Sequence, residues 1–433
     1  MSSPDQREPI TAPSFRDAVG YWLKLGFVSF GGAAGQIAMM QADLVDRLKW
    51  IDQRRYLEAL NFCMLLPGPE AQQLATFVGW RLHGLKGALA AGMLFIVPGF
   101  LVLMLLGWIA AAFGELTIVQ SLFYAVQPAV IAIIAAALYK MARKTFKGWI
   151  PAGLAVLAFL ALFLAGLPFP LVILAAGLLG WMAPRFGVTA FDPKESAPPD
   201  GGGVLAAAGP GRLARLLGWF LAFLLVPIAG VLLFVGLEPF LDIAILFTTA
   251  AFVTFGGAYA VLPYVADAAV ETYAWVTPAQ MVQGLALAET TPGPTILVTQ
   301  FVGFLAGWTP ALAGGIDLDP LFAGIVAASL TVYCMFLPGF FFILAGAPIV
   351  ERLNSNPAIG RVLSAITAAV IGVMANLGVF FGGEVLFPGG AFDLFAAILT
   401  VVALVALLRF NVAVHWLVLA AGLVGVGLAV FAG

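Results

Sequence analysis

Two Pro-Gly-Pro tripeptides, Pro67-Gly68-Pro69 and Pro292-Gly293-Pro294, interrupt otherwise apolar runs. Proline has no N–H and disfavours helix in the residue before it, yet it suits the first position of a new helix. Each tripeptide therefore predicts a broken helix. Its restart, at Glu70-Ala71-Gln72 or Thr295-Ile296-Leu297, leaves N–H groups unpaired. Free donors at the positive end of a helix dipole suit an anion. The pairs Gly31-Gly32 and Gly256-Gly257, preceded by the hydroxyl residues Ser29 and Thr254, predict a second backbone opening beside each tripeptide. The competing reading is that both motifs are kinks serving close helix packing.

The polar residues nearest these breaks are Gln36, Gln72, Gln73, Thr76, Thr290, Thr291, Thr299 and Gln300. They can donate hydrogen bonds without fixing a charge. Ionisable residues in apolar runs are costlier and more informative. Lys24, five residues before Ser29, would neutralise an anion; the alternative is that it snorkels to the surface. Glu70 and Glu289 flank the two breaks. A carboxylate beside an anion repels it, so each is either protonated in part of a cycle, making it a candidate for proton coupling, or faces elsewhere. Glu70 in a first turn would also complement the dipole. The expected binding set is Lys24, Ser29, Gly31, Gly32, Gln36, Pro67, Gly68, Pro69, Gln72, Thr254, Gly256, Gly257, Thr291, Pro292, Gly293, Pro294 and Thr295.

The elements that must position them lie in a bilayer. Of 433 residues, 62% are hydrophobic and 10% charged. Soluble domains run near 45–50% and about 25%, and the mean hydropathy is +1.06. The expectation is an all-α polytopic membrane protein, which excludes secreted disulfide scaffolds, nucleic-acid binders and most metabolic enzymes. A net charge of −2 calls for no strongly charged partner. Cys63 and Cys334 sit in apolar runs, and His83 and His415 are far apart, so neither a metal nor another cofactor is expected. No GxxxxGK[ST] supports nucleotide-driven transport. Asp317 and Asp319 read as a solvated loop pair. The polar N-terminus lacks the pattern of a cleavable signal, so the first apolar segment is expected to be retained.

Apolar runs of bilayer length number thirteen: 18–42, 56–80, 87–113, 121–139, 149–166, 168–183, 216–237, 241–266, 278–306, 320–346, 361–382, 391–408 and 412–431. A polar, Pro/Gly-rich linker is expected over 184–214. Lys140, Arg143, Lys144 and Lys147, then Arg185, Lys194, Arg212 and Arg215, then Arg352, Arg361 and Arg409 fall in alternate loops, which makes those loops and the N-terminus cytoplasmic. Arg47, Lys49, Arg54 and Arg55 break the alternation if segments one and two both span. They obey it if both are re-entrant, which requires cover by protein or an aqueous cavity. The alternative is a spanning pair with four external charges.

The chain also resembles itself. Phe27-Val-Ser-Phe-Gly-Gly-Ala33 matches Phe252-Val-Thr-Phe-Gly-Gly-Ala258 at an offset of 225, as do Trp50 with Trp275 and the two tripeptides. Phe77-Val78-Gly79 matches Phe301-Val302-Gly303 after a one-residue slip. Pro98-Gly99-Phe100 matches Pro338-Gly339-Phe340, and Ala129-Val130-Ile131 matches Ala369-Val370-Ile371. Two repeats of six segments, with one extra segment between them, place equivalent elements seven apart. The halves are then inverted, an arrangement typical of secondary transporters with a midplane site. The expected divisions are 1–183 for the first repeat, 184–240 for the linker and connecting helix, and 241–433 for the second repeat.

Phe30-Gly31-Gly32 with Gly35-Gln36-Ile37-Ala38, Arg47-Leu48-Lys49-Trp50, and Asn61-Phe-Cys-Met-Leu-Leu-Pro-Gly-Pro-Glu-Ala-Gln-Gln73 resemble the N-terminal signature of the chromate ion transporter family. Glu289-Thr-Thr-Pro-Gly-Pro294 and Gln300-Phe-Val-Gly303 resemble its second-half signature. The resemblance spans nearly the whole chain and is to the fused, two-repeat bacterial type. It implies export of chromate through the inner membrane, driven by membrane potential or a proton gradient, and chromate resistance. Sulfate is the analogue to expect, and the partners are these anions, the bilayer and a second copy of the chain, with no nucleic acid. Two positions depart from the pattern: Ala33 stands where proline is common, and Gln41 where histidine is.

Overall fold

In hydrocarbon every backbone polar group must be paired internally, so apolar runs become helices and breaks survive only under protein cover. The computed structural model describes residues 13–192, 210–346 and 356–432, and among these it is helical without strands. The first half comprises α1 (Phe15–Val28), α2 (Gly32–Gln41), a π turn (Ala42–Arg47), α3 (Gln53–Leu65), α4 (Glu70–Phe113), α5 (Thr117–Thr145), α6 (Trp149–Phe163) and α7 (Phe169–Met182). After α8 (Pro210–Phe234) the series recurs. It runs α9 (Phe240–Val253), α10 (Ala258–Ala266), a π turn (Asp267–Thr272), α11 (Pro278–Thr290), a 3-10 turn (Thr295–Leu297), α12 (Val298–Leu312), α13 (Pro320–Gly346), α14 (Pro357–Leu386), α15 (Leu394–Arg409) and α16 (Val414–Ala432). Among the described residues, eight helices are long and apolar enough to cross a membrane. The rest of the thirteen runs are shorter helices or pairs split at the predicted breaks. The part of the linker at 193–209, with Lys194, lies outside the described residues, as do Arg7 and Arg352; α8 begins at Pro210, several residues before the apolar run.

At about 1.5 Å per residue, the 44 residues of α4 would reach about 66 Å, twice a hydrocarbon core. The helix is in fact broken at His83 and Gly84, where φ/ψ are −139°/22° and 61°/−146°. Its arms fold back on each other: Gly79 rests on the carbonyl of Gly87, and a Cβ there would strike it. This separates the second and third apolar runs, as their spacing predicts.

Side-chain contacts set the direction of the remaining pieces. Phe15 stacks edge-on against His83 at 5.5 Å, and Gly26 packs on Pro98. So α1 runs alongside the 85–113 arm from the α4 turn to about its middle. Trp50, beyond α2, is 5.3 Å from Tyr21, and the Tyr56 hydroxyl donates to the carbonyl of Ile37 at 2.6 Å. Phe62 of α3 meets Phe77 at 5.8 Å. Thus α1–α2 and α3–α4 form two hairpins whose open ends lie at the α4 turn and whose tips are the breaks. Arg47, Lys49, Arg54 and Arg55 sit at that same end.

The 85–113 arm of α4 and α13, matched through Pro98-Gly99-Phe100 and Pro338-Gly339-Phe340, run in opposite directions. Gln300 donates to the carbonyl of Phe100 at 2.9 Å, and Gly107 packs on Phe301 and Phe304, so α12 is parallel to the 85–113 arm. Gly303 packs on Thr331 and Gly307 on Ala323, so α13 is antiparallel to α12 and hence to that arm, its counterpart. The two halves also interlock. The long helix α5 packs along α15 and α16 of the second half, and α14 packs along α6 and α7 of the first. Gly425 lies on Ser121 and Leu122 in one of these contacts, and Gly372 on Ala155 in the other.

Candidate substrate site

The tips of all four hairpins meet, and they meet reciprocally. The N–H of Gly68 donates to the carbonyl of Thr254 at 2.8 Å, and the N–H of Gly293 donates to the carbonyl of Ser29 at 3.0 Å. Adding 225 to 68 and 29 gives 293 and 254, so each bond is the image of the other. A Cβ on Gly32 would lie 3.6 Å from Thr295 Oγ1, and one on Gly257 would lie 3.6 Å from Glu70 Oε2, a second reciprocal pair. Such self-complementary contacts are the signature of a two-fold relation. Each Gly-Gly opening thus faces the restarted helix of the opposite half. Behind them Gly99 packs on the carbonyl of Pro292, and Gly339 on Gln72 and Gln73.

The backbone conformations explain the residue types. Gly31, Gly32, Gly256 and Gly257 have φ of 92°, 70°, 84° and 97°, and Gly68 and Gly293 have 119° and 96°. Side chains other than glycine's adopt that region at a cost. Four chain restarts follow, and none has a side-chain cap: α2 after Gly31, α4 after Pro69, α10 after Gly257, and the turn at Thr295 after Pro294. Of the four helices that start at the outer ends of the hairpins, α1, α3 and α11 are capped by Ser14, Asp52 and Thr277, whereas α9, after Pro239, is not. In α4 the first helical bond is donated by Gln73, to Pro69, so the N–H groups of residues 70–72 have no helical partner.

Around these restarts Ser29, Gln36, Gln72, Gln73, Thr254, Glu289, Thr291, Thr295 and Gln300 are buried. Gln36 donates to the carbonyls of Gly293 at 2.5 Å and Ser29 at 3.1 Å, locking one opening against the other half's tripeptide. Gln73 donates to Pro67 at 2.7 Å and Gln72 to Thr76 at 3.0 Å. Thr254 and Thr291 spend their hydroxyls on carbonyls one turn back. Ser29 Oγ and the amide oxygens of Gln36, Gln72, Gln73 and Gln300 are buried without a protein partner. Buried polar atoms are normally paired; the amide oxygens only accept and call for a donor such as water, whereas Ser29 Oγ can donate to a polar guest.

Glu289 accepts from the Tyr259 hydroxyl at 2.6 Å and is hydrogen-bonded to Thr295. Tyr259 was not singled out from the sequence; its position one residue into α10, beside the glycine pair, was the available signal. Lys24 is not brought to the cluster: it is exposed on α1 beside Leu23 and Phe27, facing away from the breaks. Among the described residues no Lys or Arg side chain is buried, so the positive potential inside the cluster itself comes from backbone N–H groups and helix dipoles. A cavity of about 430 Å³, lined by Leu65, Trp181, Phe255, Val362 and Ile366 among others, reaches the residues next to the first tripeptide and the second glycine pair. No group of three or more metal-ligating side chains occurs among the described residues.

The sequence model described as "Chromate transporter" matches residues 17–181 and 241–426, one block on each half. The chain belongs to the chromate transporter family. That is a family of transporters, not of enzymes. A chromate transport protein of Cupriavidus metallidurans is 30% identical over 406 residues, 93% of this chain and 90% of that one. A probable chromate transport protein of Synechococcus elongatus is 28% identical, with 86% of each chain covered. An uncharacterized transporter of Bacillus subtilis, YwrB, is 29% identical over 135 residues, which is 31% of this chain but 68% of that shorter protein. No solved structure matches. Family membership and the apolar helices make this a multi-pass membrane protein.

Proposed function

We propose that this chain exports chromate across the bacterial inner membrane, driven by the membrane potential or the proton gradient, and so confers chromate resistance. The observation that carries the reading is the reciprocal pair of hydrogen bonds, Gly68 to Thr254 and Gly293 to Ser29, which assembles four uncapped helix starts at one centre. A tetrahedral dianion accepts hydrogen bonds on every oxygen, and converging N–H groups supply donors without desolvating a cation. The relatives named chromate transport proteins support chromate as the substrate. Sulfate, a dianion of the same shape, is the expected competitor.

In this reading the hairpins α1–α2 and α3–α4 are re-entrant from the cytoplasm, and α9–α10 and α11–α12 from the opposite side. The loop at 47–55 carries four basic residues, whereas the equivalent loop, at 272–280, carries none. That contrast supports an inverted pair of repeats with the N-terminus cytoplasmic. Glu70 and Glu289 exchange protons with the two sides during the cycle, which lets an anion enter a centre that also holds carboxylates.

Labelled chromate uptake into everted membrane vesicles, with and without a proton gradient and with competing sulfate, tests the proposal. Saturable, gradient-dependent chromate accumulation is expected, together with lower cellular chromate when the chain is expressed. Linear, non-saturating flux would indicate a pore, and unchanged cellular chromate despite verified expression would overturn export.

A further inference from the structure

Away from the centre, the C-terminal end of α5 and the turn between α15 and α16 form an open surface cavity of about 370 Å³, lined by Tyr139, Lys140, Arg143, Lys144, Leu408 and Asn411. Three cations in one concavity repel one another unless something negative is present. None of the lining residues is a carboxylate. Between Glu115 and Asp192 there is no acidic residue, and none follows Asp393, which lies at the start of α15, 15 residues before Leu408. Among the described residues no ion pair engages Lys140, Arg143 or Lys144, although exposed basic residues elsewhere pair with carboxylates, as Arg47 does with Asp43 and Arg54 with Glu58.

The cavity is also linked to the centre. Four residues beyond Asn411, the ring of His415 packs 5.4 Å from Phe30, next to Gly31, and its Nδ1 is buried without a partner. Asn411 holds a left-handed backbone, φ 50°, which aims the turn at α5. Asn411, in the lining, is therefore four residues from a ring that packs beside one of the glycine openings, and the cations lie at the end of the bundle that carries the other basic loops.

We propose that this cavity is an outer anion site, which captures a tetrahedral oxygen dianion from the basic side and holds it before transfer to the centre. The inference rests on the oxyanion-transport reading above. Clefts of one charge sign raise local counter-ion concentration by about 10- to 1,000-fold, so the site lowers the concentration at which the centre fills. A phospholipid headgroup offers the same phosphate-like chemistry, but the packing of His415 on Phe30 favours the mobile anion.

The test is equilibrium binding of labelled chromate to the purified full-length protein, alongside flux in proteoliposomes of neutral lipid and of lipid containing an anionic phospholipid. Wild-type protein is expected to bind two anions, the weaker one lost as salt rises. Lys140→Gln/Arg143→Gln should lose the salt-sensitive site and raise the KM for chromate about tenfold, with maximal flux kept and the ionic-strength dependence flattened. Lys140→Arg/Arg143→Lys should retain wild-type behaviour. Asn411→Asp, which keeps size and tolerates the left-handed backbone, should raise KM even if the double variant folds poorly. A single site in wild type, or unchanged KM and salt dependence in these variants, overturns the proposal. A KM change confined to anionic-lipid vesicles also overturns it, by assigning the cavity to a headgroup. Wild-type flux reads the transport function separately: its absence alongside two-site binding would sink that reading and leave the outer site standing.

Discussion

The tripeptide at Pro67–Pro69 and the one at Pro292–Pro294 share a backbone and differ in their side chains. The residues before them, Leu66 and Thr291, have φ/ψ of −94°/147° and −95°/142°, and even the distant Lys49 and Ala274 share a left-handed φ of 54° and 50°. Yet Glu70 in the first half answers to Thr295 in the second, Met64 to Glu289, and Ala34 to Tyr259. The one-residue slip after the tripeptides falls at the tighter 3-10 turn of Thr295–Leu297, which replaces the first α-turn of α4. What two diverged halves keep in common is the geometry of N–H donors, the part an anion needs from both sides. What they do not share is where a proton can sit: an unpartnered carboxylate in one half, and a carboxylate held by Tyr259 and Thr295 in the other.

The comparison breaks outright if the halves are not inverted. Single cysteines at the equivalent positions Lys49→Cys and Ala274→Cys should react with an impermeant reagent from opposite sides of the membrane, Lys49→Cys from the cytoplasm; the native Cys63 and Cys334 are buried. Labelling of both from one side would end the argument. Next in size, Gly68→Ala and Gly293→Ala should each cut chromate flux about tenfold or more, because a Cβ in left-handed backbone costs roughly 1–2 kcal/mol. A harmless Gly68→Ala beside a dead Gly293→Ala would show that only one break matters.

Glu70→Gln and Glu289→Gln sharpen the contrast. Both should flatten the pH dependence of transport, measured as initial rate against pH, and Tyr259→Phe should shift it only as Glu289→Gln does. The smallest effect is expected at Asp393, which caps α15 through Ala396 and accepts from Tyr124 at 2.6 Å. The Ala396 N–H, then the Tyr124 hydroxyl, hold its carboxyl below the usual carboxylate range. Its stabilisation is therefore present at neutral pH and fades as pH falls through that lowered value. Asp393→Ala should cost about 1 kcal/mol in a thermal melt at pH 7, less in acid, with flux per folded molecule unchanged.

Much of this was legible in the residues because proline and glycine act locally. Pro67, Pro69, Pro292 and Pro294 mark breaks through covalent geometry, and the glycine pairs mark backbone that a Cβ would oppose. The repeat was legible because those marks recur in order. Direction was only half legible: hydropathy is blind to whether a run returns to the side it left, and the basic residues at 47–55 left two readings open. Tyr21 meeting Trp50, and Phe15 meeting His83, fold the first two runs back on themselves. Tyr259 reads as one more aromatic in an apolar run until folding places Glu289, 30 residues on, against its hydroxyl. Lys24 misleads for the opposite reason. Its distance from Ser29 suggests proximity, whereas the helical rotation over five residues turns it outward.

The interlocked outer helices bear on how the chain is made. The face of α5 bearing Ser121, Leu122 and Val126 is completed by α16, whose residues are made only after the whole of the first half. Until then a first half already threaded into the membrane keeps that flank of α5 without its protein cover. Deletion of α16 should therefore leave the early half unfinished, however well its own helices insert.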